Sequence, residues 1–280
     1  ASSENFGTQA EWPSHPELLD WLATEFIRLG WDTKAMLKTI VMSKTYQQGS
    51  EATPEKLEAD PDNRLVSRGP RFRIQAEMVR DQALYLGGLL YEELGGPSVR
   101  PYQPEGIWSE FNFYGNLRNY QHDKGNGLYR RSLYTIWKRT AAPPGMTLFD
   151  MPSREMCTVK RTRTNTPLQA LALMNEVTYV EAARALAEDM IQTGGRTLVE
   201  QITYGFRKGT SRHPSAQELA TLTKGHQRRL TKYLANPQSA KDLIHQGEST
   251  PDPAIDPAQL AATTTTASIL LNLDETITKE

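Results

Sequence analysis

The run TPLQALALMN at residues 166–175, continued by EVTYVEAARALAEDM at 176–190, decides the fold class. Thr166-Pro167-Leu168-Gln169 is a capping box, in which the threonine hydroxyl accepts from the Gln169 amide and the glutamine reaches back. Pro167 suits the first helical position, because an amide hydrogen there would lack a helical partner anyway. Leu171 and Met174 follow at helical spacing, and Asn175 is expected to cap a second helix. Val180, Ala183, Leu186 and Met190 then form an inward stripe that Gly194-Gly195 stops.

Outward from this pair, helices are expected at 197–208, at 215–235 from the Ser215-x-x-Glu218 box, and at 257–278. Near the N-terminus, Ser14-His15-Pro16-Glu17 reads as a capping box opening a helix through Leu18, Leu19, Leu22, Phe26 and Leu29, with Gly30 as its stop. Asp32 caps the next helix, with Met36, Leu37, Ile40 and Val41 apolar, and so short a turn predicts an antiparallel pair. Residues 49–61 read as a surface connection, with Asp60 as an N-cap. A helix over about 71–94 turns Ile74, Met78, Leu86, Leu89 and Leu90 inward, while Gly87-Gly88 weakens it or admits a close neighbour. Arg73, Glu77, Arg80 and Asp81 share one face of that helix, which favours a ladder of ion pairs along it.

Between 95 and 165 the helical period fails and prolines and glycines break the chain. Yet Tyr102, Trp108, Phe111, Phe113, Tyr114, Tyr120, Tyr129, Tyr134 and Trp137 supply enough apolar surface to hold an irregular segment in place. Leu133–Trp137 is the strand candidate, with Met156–Thr162 as its partner and Cys157, between Met156 and Thr158 on that partner, a buried thiol rather than a nucleophile. The expectation is a mainly α protein forming a single domain over 1–280. It has a helical half at 1–94, an aromatic-rich irregular insertion with a small two-stranded β element at 95–165, and a helical part at 166–280.

The 280 residues carry 32 Lys+Arg against 33 Asp+Glu, so no global field draws the chain onto nucleic acid. No apolar run approaches the roughly 18 residues of a membrane span. One cysteine excludes an internal disulfide framework, a CxxCH haem attachment and a thiolate zinc cage. The histidines lack metal-ligand spacing, Asp60-Pro61-Asp62-Asn63 lacks the glycine and glutamate of a calcium loop, and no P-loop, GxSxG or strand-linked GxGxxG occurs. No metal and no cofactor is expected in this chain. Ala1–Asn5 has no signal-peptide pattern, so an export signal lies upstream or the protein is cytosolic.

Charge is unevenly spread. Residues 129–163 hold eight Lys/Arg, Arg139 among them, against Asp150 and Glu155, whereas 235–280 hold seven acids against Lys241 and Lys279. Guanidinium forks match carboxylate, sulfate and phosphate oxygens, which makes Arg73, Arg80, Arg130, Arg131, Arg154, Arg161 and Arg163 candidate binding groups, with Trp108 and Trp137 as platforms. The competing reading pairs these arginines with the acidic C-terminal helices and makes the aromatics the private core of a loop. Glu77, Asp81 and Asp150 are candidate acid or base groups, provided that they meet the arginines inside the fold.

Several stretches together resemble one family. They are Pro13-Ser14-His15-Pro16-Glu17-Leu18-Leu19-Asp20-Trp21-Leu22-Ala23, Asp60-Pro61-Asp62-Asn63-Arg64-Leu65, Arg73 with Glu77-x-x-Arg80-Asp81, and Arg130-Arg131-Ser132-Leu133-Tyr134-Thr135. Further on come Phe149-Asp150-Met151-Pro152, Arg161-Thr162-Arg163-Thr164-Asn165-Thr166-Pro167-Leu168-Gln169-Ala170-Leu171, Asn175, and Leu271-Asn272-Leu273-Asp274-Glu275. The resemblance is to the planctomycete cytochrome-associated C-terminal domain of unknown function, the PSD-one family, from about Phe6 to Glu280. It implies an extracytoplasmic location, periplasmic or secreted, and a longer parent chain with haem c in an upstream domain. It also implies as partners those upstream domains and a sulfatase-like exported protein, and it supplies no reaction.

Three functions follow as expectations. The first is a non-catalytic interaction or ligand-binding module whose ligand is a partner subunit or an anionic polysaccharide. The second is part of an oxidoreductase acting on carbohydrate-derived substrates, with Glu77, Asp81, Arg80, Arg73, Asp150 and Arg154 converging in one pocket. The third is a structural scaffold, marked by a bare apolar surface.

Overall fold

A computed structural model describes residues 8–110, 120–138 and 141–279. The protein is mainly α, with one two-stranded antiparallel sheet. In chain order the elements are α1 (Pro16–Arg28), α2 (Thr33–Val41), α3 (Pro54–Ala59), β1 (Phe72–Arg73), α4 (Ala76–Leu86), α5 (Ile107–Glu110) and α6 (Pro144–Leu148). There follow α7 (Pro167–Asn175), α8 (Val177–Thr193), α9 (Leu198–Thr210), α10 (Ala216–Ala235), α11 (Pro237–Ile244), α12 (Pro257–Leu271), α13 (Asp274–Ile277) and β2 (Thr278–Lys279).

The chain divides into two compact units. The smaller, built mainly from the first 72 residues, holds the α1–α2 pair. Asp32 caps α2 by accepting from the Lys34 and Ala35 amides, as its position predicts. At α1 the expected box does not form. His15 occupies the cap position without a side-chain bond, and the Ser14 hydroxyl turns to the His15 ring instead. Asp60 ends α3 rather than starting a helix, and its carboxylate gathers the Arg64 and Leu65 amides into a turn. Among the described residues of this unit the buried ones are Asp60, Arg68 and Gly69, so in both long helices Leu22, Phe26 and Met36 are only half-buried and the other large apolar side chains are exposed.

The larger unit has the true core. α8 is buried on every side from Thr178 to Ala187, and it packs on α12, α4, α9 and α7. Capping boxes at Thr166 and Ser215 open α7 and α10 as the sequence predicts, and a further box, at Thr197, opens the expected helix α9. Glu176 rather than Asn175 caps α8, and the Asn175 amide donates back to the Leu171 carbonyl. α4 stops at Gly87, where an added Cβ would stand 2.7 Å from the Ala182 carbonyl oxygen. The glycine pair therefore ends the helix and lets α8 approach, Leu89 and Leu90 lie beyond it, and Met78 faces outward.

The β element also sits elsewhere than expected. Ser132–Tyr134 forms a 3-10 turn and Met156–Thr162 has no regular structure, with Cys157 exposed. The physical reason is competition for the backbone. The Tyr134 and Thr135 amides donate back to the Arg131 and Ser132 carbonyls within the 3-10 turn, and the Tyr134 carbonyl and Ile136 amide pair with Val99, so the groups a ladder with Met156–Thr162 would use are already taken.

Candidate functional site

The capping-box glutamine of α7 organises the first part of the site. Gln169 is fully buried; its Oε1 accepts from Arg73 at 3.1 Å, and its Nε2 donates to the Leu148 carbonyl at 2.9 Å and the Thr164 hydroxyl at 3.0 Å. Asp150, in the left-handed region at φ 62°, accepts from the Thr164 amide at 2.6 Å and from its hydroxyl. These bonds lock the end of α6 to the segment before α7. That segment carries Arg161 and Arg163, and both join Arg73 in lining one recess, in which Asp150 is the only acid among the described lining residues.

Glu77 lies beside this recess and accepts from Arg161 at 2.7 Å. Burial raises its carboxyl, but the Arg161 hydrogen bond and the charges of Arg161 and Arg154 more than reverse this, leaving it below the ordinary glutamate value. Glu77 is thus a fixed anion. Arg154 stacks on the Trp137 ring at 4.6 Å, and the Trp137 indole donates to the Ser153 carbonyl. The pairs run across to the loop, not along α4 as a ladder.

Arg80, Asp81, Arg130 and Arg131 form a second, separate group. The Arg80 guanidinium, almost wholly buried, donates to the Leu128 and Arg130 carbonyls at 2.6 and 2.9 Å and to the Ser132 hydroxyl at 3.2 Å. Arg130 donates to the carbonyls of Glu93, Gly95 and Pro97 and stacks on Tyr134 at 3.9 Å. Asp81 stands 3.9 Å from Arg131, which is exposed. Trp108 is 3% exposed and meets Tyr120 edge-on, so it offers no open platform. The candidate acids therefore split, Glu77 and Asp150 to the recess and Asp81 to the 128–132 turn. Arg139, Phe111, Phe113 and Tyr114 lie outside the described residues.

Two clusters escaped sequence reasoning. In the first, Arg80, Gln103, Glu176, Thr178 and Tyr179 line a cleft of about 80 Å3. Burial raises Glu176 above the usual carboxylate range, and the Thr178 hydroxyl, donating at 2.9 Å, and the Arg80 charge only partly offset this. In the second, the buried Glu181 Oε1 accepts from the Tyr129 phenol at 2.8 Å, the Ser249 amide at 2.7 Å and the Ser249 hydroxyl at 2.5 Å. Arg184 donates to that same hydroxyl and to Glu188, and the Tyr102 phenol accepts from the Glu248 amide. Glu181 and Arg184, three apart on a helix, were the available signal; only the burial of α8 on all sides makes them core groups.

A family model described as PSD1, protein of unknown function (DUF1553), matches residues 1–225, ending within α10. No curated protein and no solved structure matches the chain. No helix among the described residues is long and apolar enough to cross a membrane. With four-fifths of its length inside that match, the chain belongs to the PSD1 family of proteins of unknown function.

Proposed function

We propose that this chain is a non-catalytic oxyanion-binding module of a larger exported protein. The observation that carries the reading is the convergence of Arg73, Arg161 and Arg163 on one recess with Asp150 as its only lining acid among the described residues. Arg154 on Trp137 extends the basic edge beside Glu77. The recess holds about 10 Å3, so a carboxylate or sulfate group rests across the guanidinium forks instead of entering a pocket. An anionic polysaccharide meets that requirement with a repeated charge. The motif resemblance supports an extracytoplasmic location, periplasmic or secreted, a planctomycete origin, haem c in an upstream domain with no cofactor in this chain, and a sulfatase-like exported partner.

Affinity electrophoresis at low salt tests the reading, with gels containing a sulfated, a uronate or a neutral polysaccharide. The first two should retard the protein and the third should not. Arg161→Ala or Arg163→Ala should weaken retardation about 5-fold, the size of an exposed ionic contact of about 1 kcal/mol. Equal migration in all gels would refute it. A scaffold role is favoured by a different observation, the open apolar side chains Leu18, Leu19, Trp21, Ile27, Leu37 and Met42 of the α1–α2 pair and the residue after it. Slowed amide exchange in α1 when the upstream domains are attached would support it.

A further inference from the structure

We propose that the cleft walled by Pro101–Pro104, Pro143–Met146 and the start of α8 binds a neutral, hydroxyl-bearing small ligand through Gln103, Arg80 and Glu176. This site is distinct from the arginine recess and carries a different chemistry. Three facts converge on it.

First, both amide atoms of Gln103 are buried without a hydrogen-bond partner, as is Nε of Arg80, and both residues line the same cleft. Buried polar atoms are nearly always paired, and leaving one unpaired costs about 1–3 kcal/mol. Three such atoms on one small cavity point to a ligand that completes them. Second, the groups on offer are mostly donors: the Gln103 amide nitrogen, Arg80 Nε and, when protonated, the Glu176 carboxyl, against Gln103 Oε1 as acceptor. A hydroxyl brings two acceptor lone pairs and one donor, and two adjacent hydroxyls match a side-chain amide on both of its atoms. Third, charge is balanced inside the cleft. Arg80 has Asp81 at 3.8 Å and several carbonyls, and burial favours the neutral form of Glu176. An anion would find no surplus cation and a cation no surplus carboxylate, whereas the proline and tyrosine walls suit the C–H faces of a polyol. At about 80 Å3 the cleft admits one edge of such a molecule.

The experiment is saturation-transfer NMR on the intact chain with methyl β-glucopyranoside, glycerol, acetamide and, as the anionic probe, glucuronate. Saturation should reach the two polyols most strongly, at vicinal hydroxyl-bearing carbons. Gln103→Ala should weaken binding at least 10-fold, and Arg163→Ala, which alters the arginine recess alone, should leave it unchanged. In the wild type, affinity should fall as pH rises through the raised Glu176 value. Arg80 on α4 and Tyr179 on α8 are the charged and titratable groups facing it, Tyr102 lines the same cleft, and Asp81 and Tyr120 act on Arg80. Glu176→Gln keeps a donor there at every pH and should flatten that profile. A stronger response from glucuronate, an unaltered affinity in Gln103→Ala, or no transfer to either polyol at concentrations on the order of 10 mM would overturn the proposal.

Discussion

Replacing Glu181 separates a hydrogen-bond hub from a mere charge. Its Oε1 receives three donors, the Ser249 amide and hydroxyl and the Tyr129 phenol, while Oε2 is buried without a partner. Glu181→Ala leaves all three donors without their acceptor. Each buried unpaired donor costs about 1–3 kcal/mol, and Ser249 and Tyr129 are only half-buried, so the low end applies and the sum is about 3–5 kcal/mol. For a body of this size, 1 kcal/mol shifts Tm by about 2–4 °C, which predicts a fall of about 10 °C. Glu181→Gln keeps a carbonyl oxygen for the donors and places its amide where Oε2 already lacks a partner, so its loss should be about 1 kcal/mol, or about 3 °C. Thermal unfolding followed by far-ultraviolet circular dichroism measures both. Equal shifts in the two variants, or neither departing from the wild type, would refute the hub.

Gly247 sits at φ 89°, and an added Cβ would collide with the Glu181 carboxyl, so Gly247→Ala should lower stability by more than about 1 kcal/mol in the same melting assay. Arg212 bridges Glu218 and Glu275 at 2.6 Å each, and the Arg212 hydrogen bond, helped by Ser215, holds the Glu218 carboxyl at about 2. Because the folded value lies below the unfolded one, the stability contributed by this bridge is complete above about pH 4.5 and is lost as pH falls toward 2. A carbon-13 titration of the Glu218 carboxyl should show that low midpoint, and Arg212→Ala should raise it toward the ordinary range, with the Ser215 amide still holding it somewhat low.

The helices were legible because their boundaries are chemical. Thr166 and Ser215 each found the amide that a capping box requires, and Asp32 did the same with two amides. The box at Ser14 failed because the neighbouring imidazole was the nearer partner for its hydroxyl. The strand pair failed for a reason no local pattern contains, since Val99, far earlier in the chain, claims that backbone first. The meeting of family-like segments was legible in kind: Glu77 does meet Arg161, and Asp81 does approach Arg131. What stayed hidden was which arginines would be used up on carbonyls. A guanidinium that holds a loop and one that faces a ligand look alike in sequence, because only the fold decides how many carbonyls surround each. Glu176 and Glu181 were invisible for a related reason, since an acid on an amphipathic helix is assigned to water until a second layer is known to cover it.

The four threonines in the middle of α12 carry a lesson about composition. Each hydroxyl from Thr263 to Thr266 donates to the carbonyl four residues earlier, at 2.8 to 3.0 Å, so the polar atom is folded back onto its own spiral. Two of the hydroxyls also reach α10, Thr265 to the Tyr233 phenol at 3.2 Å and Thr266 to the buried His226 ring at 3.3 Å. A tetrapeptide that a hydropathy scale scores as water-loving is thus spent inside the bundle, on its own spiral and on tying α12 to α10. Valine at Thr263 or Thr264 would preserve the contact shape, valine at Thr265 or Thr266 would take the partner from Tyr233 or His226, and serine would open a void in the middle of the bundle.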